Sequence, residues 1–324
     1  MSPEPTSAVV IPCFRVGQRA LDVIARIGPE VGWIFAVDDA CPEHSGDLIE
    51  RDCRDPRVRV LRHAENGGVG AATLTGLRAA VDTPARVIVK LDGDGQMDPA
   101  LIPRLVAPIL RGQADYAKGN RFHRFRDVAA MPKLRLAGNA ALSFLTKLST
   151  GYWQLFDPTN GFVAIERRVA AALPHERIAR RYFFESDLLY ELGQLRAKVI
   201  EMPMQAVYGD EPSSLRPLAM FGPFLRGHLR NLARRLVYSY FVRGFSPASV
   251  ELLFGPLLLL FGLGFGSHAW WTSIASGEPA TAGTVMLAAL PILLGLQLLL
   301  SWLNFDVAAE PREPVAERLG DEGG

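Results

Sequence analysis

Three aspartates, two glycines and a glutamine crowd into VKLDGDGQMDP, Val89 to Pro99, directly after an apolar β-branched run. Asp92 and Asp94, two residues apart on a glycine-rich turn, offer carboxylate oxygens to one hard divalent ion such as Mg2+ or Mn2+. An ion held there would in turn clamp phosphate oxygens. The competing reading of the same residues is a solvated acidic turn. An EF-hand loop is excluded, because its sixth position is Met97 and its twelfth Pro103 where glycine and glutamate are needed. Asp98, followed by Pro99, reads as the cap of the next helix and not as a third ligand.

Other residues with chemical potential lie in separate clusters. Asp38 and Asp39 follow the apolar run WIFAV, and Glu185 and Asp187 stand close together in FFESDLLYEL. Arg121 to Arg135 is a basic loop. The stretch NGGVGAATLTG invites a dinucleotide reading, with Gly68 and Gly70 spaced as that fingerprint asks. Thr73 stands where its third glycine belongs, and the cluster does not follow the first strand. What remains is a phosphate- or sugar-binding loop at a helix N-terminus, or a tight turn.

Positioning these groups requires a scaffold, and residues 8–119 supply its pattern. Short β-branched runs (AVVIPC, WIFAVDD, VRVLR, RVIVKLD, ADYAKG) alternate with helical periodicities, which predicts an α/β domain on a mainly parallel sheet. Ligands of such sheets bind beyond the carboxyl ends of the strands. Asp38, Asp39 and the Asp92–Asp98 turn should therefore line one crevice. Residues 120–215 are mixed, with helices at LAGNAALSFLTKL and FFESDLLYELGQL and a strand at KVIEMPM.

Composition bounds the class. The net charge of +1 excludes a nucleic-acid-binding field, but from Pro212 to Val250 there are six arginines and no acidic residue. Leu218, Phe221, Leu225, Leu229, Leu232 and Leu236 recur there at helical spacing beside Arg226, Arg230 and Arg234, so residues 216–249 read as amphipathic helices on anionic lipid. Leu252 to Trp271 and Thr281 to Phe305 are uncharged and long enough to span a bilayer. The linker between them lacks Lys and Arg, so the positive-inside rule puts both the large domain (1–215) and the tail (306–324) in the cytoplasm. That tail, charged and rich in Pro and Gly, is expected to be disordered. Gly262, Gly264 and Gly266 would permit close helix contact, within the chain or in a homo-oligomer. Three cysteines without C-x-x-C spacing imply neither a disulfide framework nor a zinc site, and no secretory signal is expected in MSPEPTSAVV.

Taken in order, AVVIPCFRVG, AVDDACPEHSGD, NGGVGAATLTGL, VKLDGDGQMDP, KGNR and FFESDLLYELGQLRAKVIEMPM resemble glycosyltransferase family 2, with its GT-A nucleotide-sugar fold. With the basic helix and two apolar spans, the chain is similar, more narrowly, to the polyprenyl-phosphate glycosyltransferases. The resemblance implies that Pro12, Asp39 and the neighbouring Asp38 contact the donor's base and ribose. It implies that Asp92, Asp94 and Gln96 bind the divalent metal on the nucleotide diphosphate, and that Arg121 and Arg135 hold the acceptor phosphate. Glu185 and Asp187 fall where family members place acidic residues around the transferred sugar. Two segments depart from the pattern. Phe14, Arg15 and Val16 follow Cys13 where an acidic residue is common, and EPSSL, with Ser213, Ser214 and Arg216, replaces a lysine-bearing segment. The Q-x-x-R-W motif of processive synthases is absent.

The chemistry agrees with that resemblance. Displacing a nucleoside diphosphate from an anomeric carbon accumulates charge that a divalent ion and cationic side chains stabilise. An alcohol acceptor needs a general base, for which Asp187 is the candidate. A phosphate acceptor, whose second pKa is about 6, is mostly dianionic at neutral pH and chiefly needs positioning by arginine. The expectation is a metal-dependent, inverting transferase on the cytoplasmic face of the cell membrane, moving one hexose-like sugar from a UDP- or GDP-linked donor to a polyprenyl phosphate. The alternatives are transfer to a hydroxyl of a lipid-linked saccharide, or a non-catalytic membrane scaffold that senses nucleotide sugars.

Overall fold

A computed structural model describes residues 6–122, 133–204 and 217–320. It divides into two compact units, the first made of Met1–Leu232 with Pro311–Gly324 and the second of Ala233–Glu310.

The first unit is built on a seven-stranded sheet. Its strands are β1 (Ser7–Cys13), β2 (Val31–Asp38), β3 (Val58–Arg62), β4 (Val87–Lys90), β5 (Tyr116–Asn120), β6 (Val163–Glu166) and β7 (Val199–Pro203), in the order β3-β2-β1-β4-β6-β5-β7. β1 lies between β2 and β4, parallel to both, and all of its residues are buried. A strand covered on both faces reads as a continuous apolar run, and SAVVIPC is such a run. Side chains alternate between the faces. Ala8, Val10, Val37 and Ile88 enter one core with helices α3 (Val69–Val81), α6 (Arg167–Ala172) and α7 (Phe184–Leu195). Val9, Ile11, Ala36 and Val89 enter the other with α1 (Gly17–Ala25), α2 (Ser45–Asp52) and α4 (Ile102–Leu110). Gly76 lets α3 close on β1, because a Cβ there would overlap Val10.

One strand breaks the parallel pattern. β6 is antiparallel to both β4 and β5, and β7 is parallel to β5. The carboxyl ends of β1, β2, β4, β5 and β7 therefore share one edge with the amino end of β6. This edge gathers Cys13, Asp38, Lys90, Asn120 and the Asp157–Gly161 loop from distant parts of the sequence. Pro12 is tolerated inside β1 because the β4 pairing stops at Val10–Lys90, so no ladder bond on that side requires its missing N–H.

The tail differs from its expected disorder. Val315 and Ala316 donate backbone N–H groups to the buried carboxylate of Asp115 at 2.8 and 2.9 Å, and a short helix, α11 (Ala316–Leu319), packs on the first core. Composition missed this because Asp115, 200 residues earlier, supplies the missing acceptor.

Between β5 and β6 lies α5 (Lys133–Thr150), and α8 (Pro217–Val237) crosses the boundary of the two units. The sequence reads the segment of α8 as an amphipathic helix lying on anionic lipid. His228 and Asn231 are buried, Phe221 and Leu229 are exposed, and Arg230 and Arg235 are held by carboxylates. Asp187 holds Arg230 and Asn231, Asp306 holds Arg235, and His228 meets the Ser149 hydroxyl.

In the second unit, a π-helical turn at Tyr238–Val242 leads to α9 (Pro247–Ser276) and α10 (Ala282–Ala308), both long and apolar enough to cross a membrane. Most of their large apolar side chains are exposed, as lipid-facing helices require and soluble-core helices do not. Gly255 and Gly262 of α9 and Gly295 of α10 bring the two backbones together, since a Cβ at any of them would overlap the other helix. Gly266 also faces α10, through Ala288, whereas Gly264 meets open space. At the base of the pair the Arg235 guanidinium donates to both oxygens of Asp306 at 2.7 and 2.9 Å, and the Tyr240 hydroxyl donates to the same carboxylate at 2.5 Å.

Candidate active site

The acidic turn leaves the sheet at the end of β4. Asp92 lies two residues past Lys90, whose ammonium pairs with its Oδ1 at 2.6 Å. Asp94 accepts from the Gln96 backbone N–H at 3.0 Å, closing a turn in which Gly95 takes φ +80°, a conformation that side chains disfavour. Burial and the charge of Asp92 raise the pKa of Asp94. Asp98 caps the following turn, its Oδ1 accepting from Ala100 N at 3.2 Å with Pro99 next to it.

The two carboxylates fit a small hard cation. Burial chiefly, and the like charge of Asp92 beside it, disfavour the charged Asp94 carboxylate, and a divalent ion would offset both. Among the described residues no group of three or more His, Cys, Asp or Glu comes together as a complete metal cage. Mg2+ commonly takes only one or two carboxylates and completes its shell with water and substrate phosphate. Gln96, exposed on the same turn, offers an amide oxygen.

Asp38 and Asp39 are both buried, and both brace loops. Asp38 accepts from the N–H groups of Cys41 and Gly46 at 2.7 Å each. Asp39 accepts from Gly67 and Gly68 at 2.8 and 2.7 Å and meets His63 Nδ1 at 2.7 Å. The glycine cluster is thus tied to the end of β2. Gly68, at φ +94°, and Gly70 are needed because a Cβ on either would overlap the backbone around Arg180. Pro12 is buried in β1, paired with Val37. Cys41 Sγ accepts from Arg15 N at 3.0 Å and holds Arg15 at φ +57°. Burial, with the nearby Asp38 charge, pushes the Cys13 thiol up to about 12.

Arg121 follows directly on β5. Its Nε and Nη2 donate to the two oxygens of Asp157 at 2.8 and 2.9 Å, and its backbone N–H to Oδ2 at 3.1 Å. Asp157 is fully buried, while the Arg121 side chain keeps 31% of its surface exposed. Glu201 of β7 accepts from the backbone N–H groups of Phe156 and Asp157 at 2.8 Å each and from Asn120 Nδ2 at 2.6 Å. The 156–161 loop is thereby fixed across the carboxyl edge. Its Gly161 abuts both Lys90 Nζ and Asp92 Oδ2.

Glu185 and Asp187 part company on the first turn of α7, because residues two apart on a helix face different ways. Glu185 approaches Lys90 at 3.9 Å. Asp187 Oδ2 accepts from Ala179 N at 2.8 Å, while its Oδ1 accepts from Arg230 Nη2 and Asn231 Nδ2 at 2.9 and 2.7 Å. Arg135 falls on the first turn of α5 with its side chain outside the described residues, as do residues 123–132 and Ser213, Ser214 and Arg216.

Sequence reasoning missed Lys90, Lys118, Asp157 and Glu201. The available signal was a lysine ending or interrupting an otherwise buried strand, in VIVK and YAK. Lys118 is fully buried and donates to the Asn160 carbonyl. Burial pulls its pKa down to about 8 against the opposing charges of Glu185 and Asp157. For Lys90 burial also lowers the pKa, but Asp92 and Glu185 outweigh it and the net shift is upward.

Comparison with known proteins bears on this geometry. The sequence model described as glycosyl transferase family 2 matches residues 8–173, which carry the acidic turn, Asp38, Asp39, Arg121 and Asp157. The chain belongs to glycosyltransferase family 2. Among its relatives is a UDP-N-acetylglucosamine–dolichyl-phosphate N-acetylglucosaminyltransferase of Methanococcus voltae, 32% identical over 48% of this chain and 61% of that protein. The match therefore spans less than two thirds of that relative. The undecaprenyl-phosphate mannosyltransferase of Micrococcus luteus is 28% identical over 54% of this chain and 71% of its own length. For the polyprenol monophosphomannose synthase of Mycolicibacterium smegmatis the figures are 28%, 62% and 77%. The glucosyl-3-phosphoglycerate synthase of Mycobacterium tuberculosis, solved with Mn2+, UDP and glucosyl-3-phosphoglycerate, superposes with a TM-score of 0.52 at 22% identity, over 72% of this chain and 80% of that one. That likeness confirms the expected GT-A fold.

Proposed function

We propose that this family 2 protein is a metal-dependent, inverting glycosyltransferase that moves a single hexose-like sugar from a UDP- or GDP-linked donor to a polyprenyl phosphate at the cytoplasmic membrane face. The observation that carries the reading is the shared carboxyl edge, where Asp92 and Asp94 at the end of β4 and Arg121 at the end of β5 are brought to one side of the sheet. Relatives named for dolichyl, undecaprenyl and polyprenol phosphate acceptors support the lipid phosphate. The UDP complexes of the glucosyl-3-phosphoglycerate synthase, one with Mn2+ and another with Mg2+, support the donor and the ion.

In this reading Asp92, Asp94 and Gln96 would hold the divalent ion, which would supply positive charge to offset that of the leaving nucleoside diphosphate. Pro12 and the loops braced by Asp38 and Asp39 form the base and ribose side. Arg121, aligned by Asp157, orients the acceptor phosphate, whose oxygen attacks the anomeric carbon as the bond to the diphosphate breaks. Glu185 lies toward the sugar. Asp187 takes a positioning role, since both its oxygens already accept hydrogen bonds, and this favours a phosphate acceptor over a hydroxyl needing a base. The exposed apolar face of α8 and the α9–α10 pair supply the membrane attachment. Residues 311–320 rejoin the first unit, which supports the catalytic unit and the tail lying on one membrane face.

The test incubates the purified protein in detergent with labelled UDP- and GDP-sugars and undecaprenyl phosphate, with and without EDTA. Metal-dependent label in the lipid fraction is the expected result. Binding of nucleotide sugars with no transfer from any donor would favour a sensor scaffold. Transfer only to a lipid-linked saccharide would return Asp187 to the role of base.

A further inference from the structure

Two lysines are built into the sheet beside the acidic turn, and the transfer just described uses neither. Lys90 of β4 and Lys118 of β5 are both in register with Val163 of the intervening β6. Register partners project to the same face of a sheet, so the two side chains flank Val163 on one face. Lys90 ends an otherwise apolar strand and is almost fully buried, a costly place for a cation without a partner. Its partners are Asp92 Oδ1 at 2.6 Å and, more distantly, Glu185 at 3.9 Å. Gly161 closes the pair, because a Cβ there would overlap both Lys90 Nζ and Asp92 Oδ2.

We propose that Lys90 is a positioning residue that acts as a resident counter-cation, orienting Asp92 and competing with a divalent ion for that carboxylate until a nucleotide diphosphate arrives. The inference rests on the reading of Asp92 as a metal ligand. An ammonium sharing one carboxylate with a divalent ion repels it at close range. The diphosphate brings negative charge that offsets both cations, so ion and nucleotide bind cooperatively. The ion is then held firmly only when there is a donor to activate.

The test measures Mn2+ binding to the full-length protein in detergent from the free-ion paramagnetic resonance signal. It compares wild type with Lys90→Met, Lys90→Gln, Lys90→Arg and Asp92→Asn. The expected result is that Lys90→Met and Lys90→Gln bind Mn2+ alone about tenfold more tightly than wild type, the order of change from removing one nearby charge, while Lys90→Arg does not. The same two variants should melt at lower temperature in EDTA and show a larger rise on adding Mn2+. Unchanged or weaker Mn2+ binding in both neutral variants overturns the inference while leaving the site reading intact, provided Asp92→Asn loses the ion. Undiminished Mn2+ binding by Asp92→Asn overturns the inference and the assigned metal site together. Lys90→Gln and Lys90→Arg carry the comparison where Lys90→Met fails to fold.

Discussion

Replacing Asp157 by alanine isolates the part of the site that aligns Arg121. The substitution deletes a fully buried carboxylate that receives three donors from Arg121, at 2.8, 2.9 and 3.1 Å. Removing one partner of a buried ion pair typically costs about 3–5 kcal/mol. Because the Arg121 side chain keeps 31% of its surface, water recovers part of that loss, and about 2 kcal/mol is the expected destabilisation. In a unit of this size that lowers the melting temperature by about 4–8 °C. The guanidinium also loses its fixed direction, so kcat/KM for the lipid phosphate should fall by about 10–100-fold, or roughly 1.4–2.7 kcal/mol of transition-state binding. The KM for the nucleotide sugar should hardly move. Asp157→Asn, which keeps shape and one acceptor, should fall between alanine and wild type. Initial rates with acceptor and donor varied separately, beside thermal unfolding in the same detergent, measure both effects. A full drop in melting temperature with an unchanged kcat/KM for the lipid phosphate would refute the alignment argument and leave Asp157 a purely structural brace. Additive losses in Asp157→Ala/Arg121→Ala would refute the coupling, since side chains acting as one unit are not additive.

Asp94→Ala should abolish transfer, with residual activity below about one thousandth of wild type, while the protein still fractionates with membranes, since Asp94 lies outside α9 and α10. Lys118, with its folded pKa lowered to about 8 from 10.5, disfavours the native state while it is charged. Between those two values the unfolded chain binds more protons, so stability should rise with pH by about 1.4 kcal/mol per unit, and chemical denaturation should show this rise in wild type but not in Lys118→Met. Asp115→Ala strands the backbone N–H groups of Val315, Ala316 and Lys198. The expected loss is about 2–4 kcal/mol, with faster proteolysis of the tail, which limited digestion followed by mass spectrometry would detect.

The sequence by itself determined the elements and much of the chemistry. Runs such as AVVIPC and RVIVKLD announce buried strands because a strand covered on both faces is apolar throughout. The D-x-D turn announces itself because the ligands are neighbours in the chain. Asp98 was likewise legible, since a cap and its helix are contiguous. The tertiary structure alone decided which polar groups are spent on holding loops and which are left for substrate. Asp38, Asp39 and Asp187 look as available in the sequence as Asp92 does, yet their oxygens already accept from N–H groups in other segments. Asp157 meets Arg121 across 36 residues, and Lys90 and Lys118 come together only because the antiparallel β6 inserts between their strands. The tail was misjudged for a related reason, because its order depends on one carboxylate near the start of β5. Local composition reports what a segment would do in water; a buried partner supplied from elsewhere in the fold changes that answer, and its position is set by sheet order and strand direction, which short-range periodicity does not encode.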